Sequence, residues 1–156
     1  MCGVLMDIYQ QSLSFLGVDI EFNEYDIFSC ELRSDDDDGI LLTAIKNTLN
    51  LALTVSIANN IDLPNPMPDP LFLVFADQSL APIYGGMGLG LLPNSRRLVA
   101  YQTIYLDKAV DRTIQNIVEE LTAEIEQWNE MIDKVKHTQE TPTLQPHSKY
   151  NHFLKV

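Results

Sequence analysis

Between Asp107 and Lys136, apolar residues recur at Val110, Ile114, Ile117, Val118, Leu121, Ile125, Trp128, Ile132 and Val135. Spacings of three and four place them on one stripe of a helix, with Glu119, Glu120, Glu124, Glu126, Glu130 and Asp133 on the remaining surface. Asp107 can cap the start, Asp111 lies near the positive end of the helix dipole, and Lys134, Lys136 and His137 lie near the negative end. A helix from Lys108 to Lys136 would be about 43 Å long, more than the width of a small domain. Its stripe therefore lies across a sheet or reaches a second body.

A shorter helical pattern, Leu5, Ile8, Tyr9, Leu13 and Leu16, spans Val4 to Leu16 and ends at Gly17, a natural residue for the left-handed position after a helix. Ile20 and Phe22 lead into the turn-like Asn23-Glu24-Tyr25-Asp26. From Ile27 to Arg33 the pattern alternates, with Phe28, Cys30 and Leu32 on one side and Ser29, Glu31 and Arg33 on the other, as in a half-buried strand. The acidic run Asp35 to Asp38 does not make a calcium loop, because Ser34 would fall at the first ligand position and Ile45 where a bidentate Glu is needed. It reads as a solvated turn. Ile40 to Ile45 and the strictly alternating Leu49 to Ile57, separated by Lys46-Asn47-Thr48, complete a meander of three antiparallel strands.

Four prolines between Leu63 and Pro70 forbid regular structure there. Asp69 and Pro70 suit the N-cap and first position of a short helix, Leu71 to Leu80, which is apolar almost all round and needs cover on several faces. A second copy of the chain could supply it. In Gly85-Gly86-Met87-Gly88-Leu89-Gly90 the glycines run with period two and no Lys-Ser or Lys-Thr follows, so the segment is no phosphate loop. With Gly86, Gly88 and Gly90 on one face and Met87, Leu89 and Leu91 on the other, it reads as a strand whose bare face admits close approach by a ring or backbone. A turn at Pro93-Asn94-Ser95 and a strand from Leu98 to Leu106 make a hairpin. The order α-β-β-β-α-β-β-α predicts an α+β fold, a twisted antiparallel sheet covered by helices. Residues 1–137 form the domain, and residues 138–156, without period, are expected to be a disordered tail.

Composition narrows what such a domain does. With 22 Asp and Glu against 10 Lys and Arg in 156 residues, the chain should be repelled by nucleic acid and by anionic lipid. No apolar run reaches the length of a membrane span, and Cys2 and Cys30 without a secretory leader point to a reducing cytoplasm. His137, His147 and His152 match no zinc spacing, no nucleophile elbow is present, and carboxylates on a solvated face have no reason for a shifted pKa. Neither catalysis, a metal nor any cofactor is expected. The acidity leaves open an acidic mimic of nucleic acid, an immunity-type inhibitor of a basic protein.

The ordered combination of Leu16-Gly17-Val18, Phe22-Asn23-Glu24, the strand Ile27 to Leu32, the block Gly85 to Leu91, the strand Leu98 to Tyr105 and the helix through Trp128 resembles the class I type III secretion chaperones, the Tir chaperone (CesT) family. The resemblance covers about residues 5 to 136; the proline connector and the tail depart from it. It implies a cytoplasmic bacterial homodimer that binds the N-terminal segment of one or more secreted effectors, keeps that segment partly unfolded, and delivers it to the export apparatus and its ATPase. By position, Leu71, Phe72, Phe75, Met87 and Leu89 match the family's dimer interface. Leu5, Ile8, Phe22, Ile27 and Phe28 match its effector-binding elements. Because Ile27 and Phe28 cannot both face the core, the carry-over predicts that Phe28→Asp weakens effector binding and leaves the dimer intact.

Overall fold

The long apolar stripe finds its partner in a sheet. In a computed structural model describing residues 7–32, 39–106 and 114–140, helix α3 (Ile114–Glu140) packs on strands β3 (Ala52–Asp62) and β5 (Arg97–Tyr105). Ile114, Ile117, Val118, Leu121, Ile125, Trp128 and Ile132 are all buried in one core. Leu5, the acidic run at 35–38, Val110, the cap at Asp107, Asp111 and the segment after residue 140 lie outside the described residues. The helix runs past Thr138 to Glu140, so the boundary expected between 137 and 138 falls inside it.

The other strands are β1 (Ile27–Leu32), β2 (Ile40–Asn47) and β4 (Gly88–Leu91). All pairs are antiparallel and the order is β1-β2-β3-β5-β4, leaving β1 and β4 as the two edges. Register fixes the faces. Phe28 opposes Ala44, which opposes Val55, and Cys30 opposes Leu42, then Ile57, Ala100 and Leu89. These rows face the core, while Ile27, Ile45, Thr54 and Thr103 form a row on the outer face, where the Thr54 and Thr103 hydroxyls lie 2.8 Å apart.

Several boundaries differ from expectation for local reasons. The alternation from Leu49 overshoots: Asn47 Oδ1 accepts from the Leu49 N–H at 3.0 Å, Leu51 takes a positive φ of 51°, and β3 starts only at Ala52. A side chain that captures the next N–H groups competes with the ladder, and here the turn wins. Helix α2 (Asp69–Ser79) begins one residue early, with Pro68 at the cap position and no side-chain cap. The first helix is also shorter than the periodicity suggests. Helix α1 (Ile8–Ser12) has an Asp7–Gln10 capping box and gives way to a 3₁₀ turn, Ser14–Leu16, ended by left-handed Gly17.

Gly88 behaves as its strand pattern predicts. A Cβ there would sit 2.6 Å from both Pro82 Cγ and Tyr101 Cζ, so the bare position lets a ring and the 3₁₀ turn Ala81–Tyr84 close over β4. Where β3 loses register with β5 between Ala58 and Asp62, buried Asn59 stitches the irregularity: its Oδ1 accepts from the Ile61 N–H at 2.9 Å and its Nδ2 donates to Asn129 Oδ1 on α3. Every buried side-chain polar atom among the described residues is satisfied, as a stable interior requires. No described helix is long and apolar enough to cross a membrane.

Candidate partner-binding surfaces

At one end of the sheet, α1 and the loop after it pack on β1 and β2 through a chain of rings. Tyr9 meets Phe22 edge-on at 6.4 Å, and Phe22 meets Phe28 at 6.2 Å. Lys46 Nζ caps the group, 4.8 Å from the Phe22 ring centre and 5.5 Å from that of Tyr9, and lies 3.9 Å from Asp26 Oδ1. Tyr9 also donates its hydroxyl to the Asn47 carbonyl at 3.2 Å, tying α1 to the end of β2. The rings are thereby fixed before any partner arrives. Around them Ile8, Val18 and Tyr25 are exposed, Tyr25 at 71%. Beside them β1 is an edge strand of the sheet among the described residues, the kind of edge that can template an added strand.

At the other end, α2, the turn Ala81–Tyr84 and β4 carry a second apolar surface. Leu80 and Leu91 are exposed, Phe72 is 51% exposed and Ile83 73% exposed. Single exposed apolar residues need no explanation, but several on adjoining elements beside an edge strand make this a candidate interaction surface. Helix α2 is pinned to α3 from behind: Phe75 meets Trp128 edge-on at 6.1 Å, and Trp128 Nε1 donates to Gln78 Oε1 at 2.9 Å.

The residues carried over by resemblance divide accordingly. Ile8 is exposed, while Phe22 and Ile27 are half-buried at the first surface. Phe28 is 7% exposed with its ring in the core, on the opposite side of β1 from Ile27, so it cannot offer that ring to a partner without unpacking. Leu5 lies outside the described residues. At the second surface Phe72 is open and Phe75 and Met87 are half-buried, but Leu71 and Leu89 are covered within the single chain. Sequence reading missed Val18, Tyr25 and Ile83. These stand in turns and a proline-broken stretch, where no period assigns a face, and their only signal was an apolar residue in a segment with no core to join.

Chemistry on these surfaces is sparse. Burial pushes the Cys30 thiol above its usual range, away from the reactive thiolate. Among the described residues no three His, Cys, Asp or Glu gather where they could hold a metal ion.

No family model matches the chain, and no curated protein matches it. Solved structures do. A chain in the structure of the HopA1–SchA chaperone–effector complex matches with a TM-score of 0.49 at 18% identity, over 80% of this chain and 89% of its own length. A chain in the crystal structure of the ExsC–ExsE complex matches with a TM-score of 0.60 at 14% identity, over 81% of this chain and 97% of its own length. The five-stranded antiparallel sheet with its helices is thus a fold that this protein shares with a chain of the ExsC–ExsE complex.

Proposed function

We propose that this protein is a type III secretion chaperone: a cytoplasmic, non-catalytic homodimer that binds the N-terminal segment of one or more effectors, holds it partly unfolded and delivers it to the export apparatus. The observation that carries the reading is the placement of an edge strand at each end of the sheet among the described residues, β1 and β4, each flanked by exposed apolar side chains. An extended chain laid on such an edge gains backbone hydrogen bonds that depend little on its sequence, while flanking pockets take its apolar residues. That suits a client kept unfolded. The family resemblance along residues 5 to 136 and the shared fold with a chain of the ExsC–ExsE complex support the same role. The net charge of −12 keeps a molecule with open apolar surface soluble.

Two experiments test it. Purification from the native host at high salt, followed by limited proteolysis, is expected to yield a dimer carrying a protected stretch near the N-terminus of a secreted protein. A folded nuclease or DNA-binding partner, retained at low salt and lost at high, would instead support an acidic inhibitor, since contacts built on spaced carboxylates are screened and apolar ones are not. The dimer is assigned to the exposed face of α2 around Phe72, and not to the β4 edge. Phe72→Glu is therefore expected to weaken self-association by about 100-fold, the scale of a hot-spot aromatic, with little change in urea unfolding of the single chain. Sedimentation that leaves the variant as dimeric as the parent would remove α2 from the interface.

A further inference from the structure

Glu124 breaks the pattern of its helix. Among the acidic residues on the described length of α3, Glu119, Glu120, Glu126, Glu130 and Asp133 are exposed, whereas Glu124 is half-buried. Its Oε1 accepts from Trp128 Nε1 at 3.2 Å, and the same indole donates to Gln78 Oε1 at 2.9 Å, so one hydrogen draws together acceptors from α2 and α3. These two side chains, with Ala81, Met87 and Leu89, line a cleft of about 190 Å³ between α2, β4 and α3.

We infer that this cleft is a socket for one arginine side chain of the bound partner segment. Small-molecule pockets run from about 300 Å³ upward, so the cleft has room for a side chain and not for a drug-sized ligand. Its lining is two-sided. Half-buried Met87 and Ala81 offer apolar cover to a hydrocarbon stem, with buried Leu89 forming the floor, and the Glu124 carboxylate offers charge to its head. No described residue forms an ion pair with that carboxylate. A guanidinium, with five donors in a planar fork, can bond the second Glu124 oxygen and the remaining lone pair of Gln78 Oε1 together, which an ammonium does less well. The occupant's origin, an extended effector segment, rests on the proposed chaperone role. The chemistry of the cleft does not.

Trp128 is the one tryptophan in the chain, so its indole N–H gives a single resonance at the socket. The full-length protein, ¹⁵N-labelled at tryptophan, is titrated with a capped pentapeptide bearing one central arginine between alanines and valines, and with its citrulline twin, which keeps the shape and loses the charge. The expected result is a saturable shift with the arginine peptide, binding about tenfold weaker with citrulline, and loss of the arginine preference in Glu124→Gln. The Gln oxygen still accepts from the indole, so the unliganded spectrum should persist. Equal binding of the twins, or a preference that survives Glu124→Gln, overturns the socket. So does an indole shift that appears on dilution in place of titration, which would put a second copy in the cleft. An effector that co-purifies equally with parent and Glu124→Gln removes the socket and leaves the chaperone role standing. An arginine-selective shift in a protein that captures no secreted client supports the socket while removing that role.

Discussion

Phe28→Asp is expected to unfold the chain, while Ile27→Asp, one residue earlier on the same strand, leaves it folded. Phe28 is 7% exposed and in contact with the Phe22 ring at 6.2 Å, within the core cluster that α1, β1 and β2 share. Losing a buried Phe side chain costs about 3–5 kcal/mol, and an ionised carboxylate in its place adds a desolvation cost. Together these rival the about 5–15 kcal/mol that separates a folded domain from its unfolded state. Ile27 is half-buried in the outer row, opposite exposed Ile45, so an Asp there keeps access to water. Urea unfolding of the two variants checks this. A Phe28→Asp protein with the parent's midpoint would show that the ring is not in the core. The expected outcome also changes how the resemblance is used: loss of effector binding in Phe28→Asp would report a damaged fold, and Ile27 is the position on this strand at which contact can be tested.

Trp128→Ala has the next largest expected effect, a loss of about 3–5 kcal/mol. The indole is fully buried, meets Phe75 edge-on at 6.1 Å, and donates to Gln78 across the α2–α3 junction. Helix α2 otherwise contacts β4 and the turn after it, and among its residues only Leu71 is buried, so the tryptophan is a principal tie to the rest of the core. The urea midpoint should fall with an unchanged slope, and amide exchange across Asp69–Ser79 should quicken more than across β2 and β3. Trp128→Phe should recover most of the packing and lose about 1 kcal/mol for the missing donor. A cost below 1 kcal/mol for the alanine variant would mean that α2 is held by something else.

These outcomes bear on function because both surfaces depend on what lies beneath them. The aromatic chain under α1 gives the β1 edge a rigid flank, and the Trp128 junction holds Phe72 and Ile83 outward beside β4. A binding surface preorganised by its core loses less entropy when a disordered client settles on it. If the proposed chaperone role holds, the interior is the means by which an unfolded partner would meet a fixed template.

Periodicity alone determined a good part of the architecture. The stripe on α3, the alternation of β1, the hairpin of β4 and β5 and the bare glycine face all follow from spacings of three, four and two, which state which residues share a side of an element. They do not state which side is covered, or by what. That Phe28 and not Ile27 faces the core, that Leu71 and Leu89 are closed over within one chain while Phe72 stays open, and that β1 and β4 end up as edges were decided by the order in which strands pair and helices settle on them. The turn at Asn47–Leu51 needed its own hydrogen bond to cut short an alternation that looked continuous. The meeting of Gln78 with Glu124 and Trp128 joins residues some 50 positions apart. Such a contact is a property of packing, and no local pattern encodes it.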